Sequence, residues 1–356
     1  MIYRATGQFR STYAADEAIF LLLQDRWAMG GLVLLAFAAP WLVSEYWLGG
    51  LLIPVLFYSL AALGLNILTG YAGQISVGHA AFMAVGAYTA YNLASRLDLN
   101  IFLCFLGGGL MSAAVGVLFG LPSLRIKGFY LVVTTLAAQF TIEWVINRVP
   151  WISGGNVLGS LDTPRIVIWG LPINTVARRY WLALVVVVVL TLFAKNLVRS
   201  EIGRAWQAIR DRDVAAAIIG INIFRKKLSA FAVSAFYAGV AGALLAFAHL
   251  EAVQITEFEL LLSFNLLGMV IIGGLGSILG SFLGAMFFVT LPIFINQALG
   301  ATVGRAARTS EGSLAAVFEL MVFGGLIVFF LIVEPHGLAR LWTRVKEKLL
   351  LWPFPY

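Results

Sequence analysis

The residue types that usually carry catalysis are few in this chain and show no catalytic spacing. The single cysteine, Cys104, excludes an intramolecular disulfide. The three histidines are far apart and lack a pattern such as His-Glu-x-x-His, so a metal site is not expected. The sequence contains no Gly-x-x-x-x-Gly-Lys-[Ser/Thr] loop, Gly-x-Ser-x-Gly elbow or paired carboxylates. We therefore expect no catalytic residue and no cofactor in this chain. If the chain takes part in ATP-driven transport, the ATP must bind to another subunit.

A glycine-rich polar segment, 70–82, interrupts the apolar sequence. Its glycines permit a turn and close helix approach, and its polar side chains offer hydrogen bonds within apolar surroundings. This composition is typical of a broken helix that lines a translocation path, but it also fits a glycine hinge with tight helix packing. The candidate path residues here are Gly73, Gln74, Ser76, Gly78 and His79.

Two further places could contribute to such a path. Glu143 lies inside an apolar run, where a carboxylate is costly unless it faces a cavity or a partner such as Arg148. A second glycine-rich turn, 273–285, lies between two apolar runs and could be a decayed repeat of the first. Its glycines fit close helix packing at least as well as transport.

The polar loop 199–227 contains two short amphipathic helical patterns. Apolar residues recur in each at i, i+4 and i+7. The two stripes are Ile202, Trp206 and Ile209, and Val214, Ile218 and Ile221. Asp211 or Asp213 can cap the second helix, and Gly220 is suited to its end. Such helices could dock into a groove of a cytoplasmic partner, lie on anionic lipid or form a solvated linker.

These candidates must be positioned by helices in a membrane. Hydrophobic residues make up 61% of the 356 residues, charged residues 12%, and the mean hydropathy is +0.94. The apolar runs contain about twenty residues, the number a helix needs to cross about 30 Å of hydrocarbon. We predict an all-α integral membrane protein with about ten transmembrane helices, of which the third and eighth are possible broken or re-entrant segments. The predicted segments are 28–48, 50–70, 76–95, 101–120, 128–148, 179–198, 228–249, 261–279, 281–299 and 316–334.

The basic residues predict the orientation. If the N-terminus is cytoplasmic, seventeen of the 24 Lys and Arg residues lie in inside loops, so both termini are expected inside. The net charge of +7 is then an orientation signal and gives no reason to expect nucleic acid binding. The predicted organisation is a cytoplasmic leader (1–27), a permease domain (28–345) with a turn-rich outside loop (149–178), and a cytoplasmic tail (346–356).

Four segments, in order along the chain, carry a family resemblance. They are GLNILTGYAGQISVGHAAFMAVGAY (64–88), LPSLRIKGFYLVVTTLA (121–137), SAFYAGVAGALLA (234–246) and EPHGLARLW (334–342). Together they resemble the LivH/LivM family, the permease subunits of bacterial ABC importers for branched-chain amino acids. The LPSLRIKGFY element is similar to the LivM branch of that family.

The loop 199–227 resembles the coupling loop of ABC importer permeases, in which a Glu-Ala-Ala motif followed by Gly docks into the ATPase. Ala215, Ala216 and Gly220 match this spacing, although valine stands at the Glu position and the downstream Ile-x-Leu-Pro is absent. In the branched-chain amino acid subfamily the acidic residue lies one position earlier, as Asp213 does here. The resemblance thus implies the coupling residues Arg204, Arg210, Asp213, Ala215, Ala216 and Gly220.

The resemblance also implies partners and location. A homologous LivH-type permease, two cytoplasmic ATPases and a periplasmic substrate-binding protein would assemble with this chain in the lipid bilayer of the bacterial inner membrane. Alternating access driven by the ATPases would release Leu, Ile or Val inward. Related systems carry urea, short amides or other amino acids, so these substrates stay open.

Two other functional classes compete with the importer. An ion-coupled secondary transporter or channel usually places ionisable residues in mid-span, and the candidates are Glu143, His79, His249 and Glu319. A membrane-embedded enzyme would need a nucleophile, a metal or an acid–base pair near the membrane surface, and no such set stands out.

Overall fold

The computed structural model describes most of the chain as a bundle of α-helices. The described residues are 23–123, 130–154, 161–164, 166–168, 171–302, 321–322, 324–330, 332 and 337–351. The predicted leader falls largely outside these ranges, as do His336, Glu319 and the end of the predicted tail.

The bounds of the helices are as follows, in chain order. Those before the long polar loop are α1 (Leu23–Leu42), α2 (Glu45–Tyr71), α3 (His79–Leu97), α4 (Ile101–Ser123), α5 (Tyr130–Arg148), α6 (Pro150–Ser153) and α7 (Val176–Arg199). Those in and after it are α8 (Glu201–Asp211), α9 (Asp213–Ile218), α10 (Ile223–Leu250), α11 (Leu260–Gly273), α12 (Ile278–Thr302) and α13 (Gly337–Leu351). Residues 321–322 and 324–330 are also helical.

The described helices agree with an all-α membrane protein. Four of them, α2, α4, α7 and α10, are long and apolar enough to cross a membrane. Shorter apolar helical stretches are Gly30–Leu42 within α1, Leu260–Gly273 (α11) and Ile278–Phe294 within α12. The predicted segments 76–95 and 128–148 correspond to the helices α3 and α5. The total of ten spans, the position of both termini and the domain boundaries stay predictions. Helix α13 runs across the predicted boundary at 345.

Close helix contacts at glycines build the centre of the bundle. Helix α10 packs against α2, α3 and α4. A Cβ on Gly86 of α3 would collide with the Gly239 backbone of α10, and one on Gly242 would collide with the Met83 carbonyl. Small residues allow such backbone approach, which is a main source of helix association in lipid. Gly284 meets Met269 in the same way where α11 and α12 cross. The segment 273–285 therefore packs helices together, as the close-packing interpretation of its glycines predicted.

The described connections gather at two opposite ends of the bundle. At one end the strands β1 (Leu161–Asp162) and β4 (Ala252–Val253) pair antiparallel, as do β2 (Val167–Ile168) and β3 (Leu171–Pro172). Arg179 forms an ion pair with Glu251 at this end. The other end holds the turns after α2 and α11 together with α8 and α9. This separation agrees with loops that alternate between two ends of the bundle, and which end is inside stays a prediction.

Candidate functional site

The chain between α2 and α3 leaves the helical path at a glycine. The last turn of α2, Ile67–Tyr71, is a π-helix, and such turns often occur at functional sites. Gly73 then takes a left-handed conformation with φ of 67°, which glycine adopts without steric cost. The Gln74 amide still donates to the Leu68 carbonyl at 3.0 Å. The predicted third segment is thus a helix preceded by a non-helical stretch, 72–78.

The start of α3 is capped by side chains from two other helices. The Val77 amide donates to Thr135 Oγ1 at 3.1 Å, Ala80 to Ser263 Oγ at 2.9 Å, and Ala81 to Gln139 Oε1 at 2.8 Å. A helix start buried in apolar surroundings needs such partners for its free amides. These amides are therefore satisfied by protein groups and are not open to an anionic ligand.

The predicted path residues divide into exposed, unpartnered and packed groups. Gly73 is exposed at the end of the bundle. Gln74 and Ser76 are buried, and within the described residues their side-chain polar atoms have no hydrogen-bond partner. Gly78 packs against the Thr135 carbonyl, which a Cβ would meet.

His79 is a buried link between three helices. Its Nε2 lies 2.8 Å from Ser234 Oγ on α10, and Ser234 donates its only proton to the Gly64 carbonyl of α2 at 2.6 Å. Ser234 Oγ must therefore accept, which makes His79 Nε2 the donor and places a lone pair on Nδ1. Nδ1 has no partner among the described residues. The arrangement favours helix packing over a role in the path.

Glu143 lies apart from the 72–78 segment. It is half-buried on α5, one turn beyond Gln139. The described residues provide no hydrogen bond or ion pair to its carboxylate, and the suggested pair with Arg148 does not form. Gln139 and Thr135 are the buried polar residues among the described part of this helix, and Gln139 Nε2 donates to the Phe258 carbonyl at 2.9 Å.

A second turn, 274–277, joins α11 to α12 and meets the first turn through Asn66. The Gly276 amide donates to Asn66 Oδ1 at 2.8 Å. Asn66 Nδ2 donates to the Ser277 carbonyl at 2.8 Å and to Ser281 Oγ at 2.9 Å. Gly276, like Gly73, has positive φ. A Cβ on Gly70 would collide with the Gly276 amide, so the two turns are in direct contact.

We expect Asn66→Leu to destabilise the folded chain strongly. The change leaves the Gly276 amide without its acceptor and removes the hydrogen bonds that Asn66 Nδ2 donates to Ser277 and Ser281. An unsatisfied buried group costs about 1–3 kcal/mol. The midpoint of thermal unfolding in detergent, followed by intrinsic fluorescence, should fall on the order of 5 °C. Asn92→Leu is the control, since Asn92 is only half-buried and donates to two carbonyls at the opposite end. Equal midpoints for the two variants would contradict the bridging role of Asn66.

Arg210 joins both turns to the loop helices. Its Nη1 donates to the Gly70 carbonyl at 2.7 Å, in the last turn of α2, where a cation also complements the helix dipole. The Arg210 side chain also fills the space beside Gly73 and approaches Gly276. Its Nε and Nη2 both donate to Asp211 Oδ1 at 3.1 Å. We call Gly70, Gly73, Gly276 and Arg210 the Arg210 junction.

The first amphipathic stripe is covered by the chain itself. Trp206 and Ile209 of α8 are buried, and Ile202 is at its margin. Trp206 Nε1 donates to the Lys226 carbonyl at 2.9 Å, which fixes α8 to the start of α10. This stripe therefore attaches α8 to the bundle and is not free to dock a partner. Arg204, on the exposed side of α8, donates to the Arg199 carbonyl at 3.0 Å.

The second stripe is exposed at two of its three residues. Val214 and Ile218 have relative exposures of 69% and 80%, whereas Ile221 is half-buried. Ile219, which the predicted stripe did not include, is 73% exposed beside them. Ala215 lies exposed beside them, whereas Ala216 is buried toward the bundle. We call Val214, Ala215, Ile218 and Ile219 the α9 face.

The ends of α9 agree only partly with the predicted caps. Gly220 ends the helix with φ of 88°, and the Ile221 amide donates to the Ala216 carbonyl at 3.0 Å, as in a glycine C-cap. The residue at the N-cap is Arg212, without a side-chain cap. The prediction of an Asp211 or Asp213 N-cap is therefore wrong, because Asp211 is engaged with Arg210 and Asp213 is already the first helical residue.

Several residues that hold this region together were not identified from the sequence. Asn66, Gln139 and Ser263 are buried polar residues of apolar helices, and each binds backbone groups more than a hundred positions away or on another helix. An isolated polar residue within an apolar run was the available signal. Its partners could not be read from local spacing.

Comparison with known proteins adds independent observations. Residues 48–331 match the family model described as the permease component of branched-chain amino acid transport systems. The chain is 32% identical to the high-affinity branched-chain amino acid transport permease LivM of Escherichia coli, over 89% of this chain and 75% of that protein. It is 31% identical to the Salmonella typhimurium LivM over the same shares, and 27% identical to a probable ABC transporter permease of Sinorhizobium fredii over 68% of this chain and 71% of that protein. No solved structure matches the chain significantly.

Proposed function

Because the chain belongs to the family of permease components of branched-chain amino acid transport systems, we propose that it forms part of the path by which an ABC importer moves Leu, Ile or Val inward. It is a membrane transport subunit and not an enzyme. Urea, short amides or other amino acids are the alternative substrates. The proposed assembly contains a LivH-type permease, two cytoplasmic ATPases and a periplasmic binding protein in the bacterial inner membrane.

The observation that carries the mechanism is the exposed α9 face. Fully burying a Val or Ile side chain stabilises a complex by about 1.5–3 kcal/mol, so an exposed patch of three such residues indicates a binding surface. The patch is short and convex, which suits insertion into a cleft of an ATPase. Since no phosphate-binding loop occurs in this sequence, the ATP that drives transport must be hydrolysed on such a partner.

The Arg210 junction gives the docked ATPase a route to the membrane helices. The α8 and α9 helices are consecutive, with only Arg212 between them. A displacement of α9 therefore moves the end of α8, and with it Arg210 and its bond to the Gly70 carbonyl. Both turns that flank the junction contain glycines at positive φ, and changes in dihedral angle at such turns are a common form of hinge.

The turn 72–78 is the part of the proposed path that this movement would reach first. Gly73 borders the exposed end of the bundle, and the unpartnered side chains of Gln74 and Ser76 lie directly behind it. Buried polar side chains without protein partners are suited to bind water or the polar part of a passing solute. Gly78 and His79 position this turn by packing, and Glu143 is a separate candidate on α5.

We expect His79→Gln to retain uptake of branched-chain amino acids within about twofold, because a glutamine amide can replace the Nε2 donor to Ser234. His79→Phe removes the donor and should lower the amount of folded protein in the membrane. Labelled leucine uptake by cells, normalised to immunoblotted protein, measures both effects. A glutamine variant present at the normal level but without uptake would place His79 in the path.

A tagged purification tests the assembly. The chain is isolated from native membranes in mild detergent, and co-purifying proteins are identified by mass spectrometry. We expect a second permease and ATPases that contain phosphate-binding loops. Isolation of the chain alone under all detergent and salt conditions, together with leucine transport by that chain, would favour the ion-coupled transporter.

A further inference from the structure

Helix α13 (Gly337–Leu351) is amphipathic and strongly basic. Its sequence, GLARLWTRVKEKLLL, contains four basic residues and one acidic residue. Apolar residues recur at helical spacing on one side of the helix, namely Leu338, Leu341, Trp342 and Val345. The remaining sides of the helix carry Arg340, Thr343 and Arg344. The helix is too charged to cross a membrane.

The structure fixes where this helix begins. Gly337 packs so closely against Gly274 that a Cβ would come within 2.7 Å of its backbone. Gly274 belongs to the turn after α11, at the end of an apolar helix. That turn also contacts Arg210 and Asn66. Helix α13 therefore starts at the level where the apolar helices end, on the same side of the bundle as α8 and α9.

The apolar side of α13 is only partly covered by its own chain, and Leu338 at its start is half-buried. Leu341, Trp342 and Val345 have relative exposures of 41%, 55% and 48%. Leucine with tryptophan beside Arg and Lys side chains, at the level where apolar helices end, is the pattern of a helix that lies in a membrane interface. The basic residues on either side of the stripe complement anionic headgroups.

We propose that α13 lies on the inner leaflet, with Leu341, Trp342 and Val345 inserted among the lipids and its basic residues bound to anionic headgroups. This placement would hold the 274–277 turn from outside the bundle, because Gly337 is packed on Gly274. The inference does not depend on docking of an ATPase to the α9 face.

Depth-sensitive quenching tests the proposal. Leu341→Cys and the matched control Thr343→Cys, both at exposed positions of α13, are labelled with an environment-sensitive fluorophore, since the native Cys104 is buried. The full chain, with its co-purifying subunits, is placed in nanodiscs of phosphatidylcholine with brominated acyl chains, with or without phosphatidylglycerol. We expect quenching at 341 to exceed that at 343 by at least about threefold and to increase with phosphatidylglycerol.

The charge component is tested by Arg340→Gln with Arg344→Gln in the Leu341→Cys chain. The dependence on phosphatidylglycerol should weaken in that variant while the protein level stays normal. Equal quenching at 341 and 343, or quenching at 341 that ignores lipid charge, would overturn the proposal. Protection of the 341 probe by added ATPase, in place of lipid, would also overturn it and assign α13 to a protein interface.

Discussion

Arg210→Ala is expected to lower ATP-driven uptake by about 10- to 100-fold while the ATPases remain bound to the complex. A hydrogen bond from a charged group contributes about 1.5–3 kcal/mol. The bond from Arg210 to the Gly70 carbonyl links α8 to the last turn of α2, directly before the 72–78 turn. Leucine uptake and ATP hydrolysis are measured on the same reconstituted complex. Hydrolysis should continue without proportional transport.

Arg212→Ala is the matched control for this variant. Arg212 is exposed two residues away, between α8 and α9, and its replacement by alanine removes the same charge. It should leave the ratio of uptake to hydrolysis close to the wild-type value. Equal losses in the two variants would show that general charge, and not the Arg210 junction, supports transport.

Ile218→Glu is expected to weaken binding of the ATPase by at least about 100-fold, because burying an unpaired carboxylate in an apolar contact costs several kcal/mol. Ile218 is 80% exposed in this chain, so the variant should fold and insert normally. The effect is measured as the amount of ATPase, detected by its activity, that stays bound to this chain during tagged purification. Ala215→Arg, on the same α9 face, is expected to act in the same direction.

Ile218→Leu controls for the position, since it keeps an apolar side chain of equal size and should retain the ATPase. Gly220→Glu is a less specific variant, because Gly220 has φ of 88° and any side chain there also strains the end of α9. If the Ile218→Glu complex retains its ATPase and transports leucine normally, α9 is not the docking helix.

The local breaks in the fold could be predicted from composition. The glycines near residue 73 and near residue 276 mark turns because only glycine takes positive φ without a steric cost. The exact ends of other helices were harder to predict. Helix α2 is continuous from Glu45, so the break between α1 and α2 falls at 43–44 and not near 49. The break between α11 and α12 falls at 274–277 and not near 280. The second shift lies in largely apolar sequence, where hydropathy alone does not locate a boundary.

The loop 199–227 shows where periodicity stops being informative. The two stripes have the same spacing, yet Trp206 of the first is buried against its own chain, whereas Val214 and Ile218 of the second are exposed. The difference arises because Trp206 reaches the Lys226 carbonyl, a contact set by the position of α10. An amphipathic pattern predicts that a face will be covered but does not identify the covering element.

The polar contacts between helices were the least predictable part of the site. Asn66 binds the 274–277 turn about 210 positions away, and Gln139 caps α3 from α5. These pairs depend on which helices become neighbours, which no local pattern encodes. By contrast, the family resemblance named Arg210 as a candidate coupling residue, and that role stays a prediction. The resemblance did not indicate its Gly70 partner.

The most direct test of the account is leucine uptake by proteoliposomes that contain the complex isolated through this chain. The periplasmic binding protein and labelled leucine are outside, and ATP or a non-hydrolysable analogue is inside. We predict accumulation only with hydrolysable ATP and bound ATPases, and its loss in the Ile218→Glu complex. Accumulation by this chain without an ATPase, driven by an ion gradient, would contradict the importer mechanism.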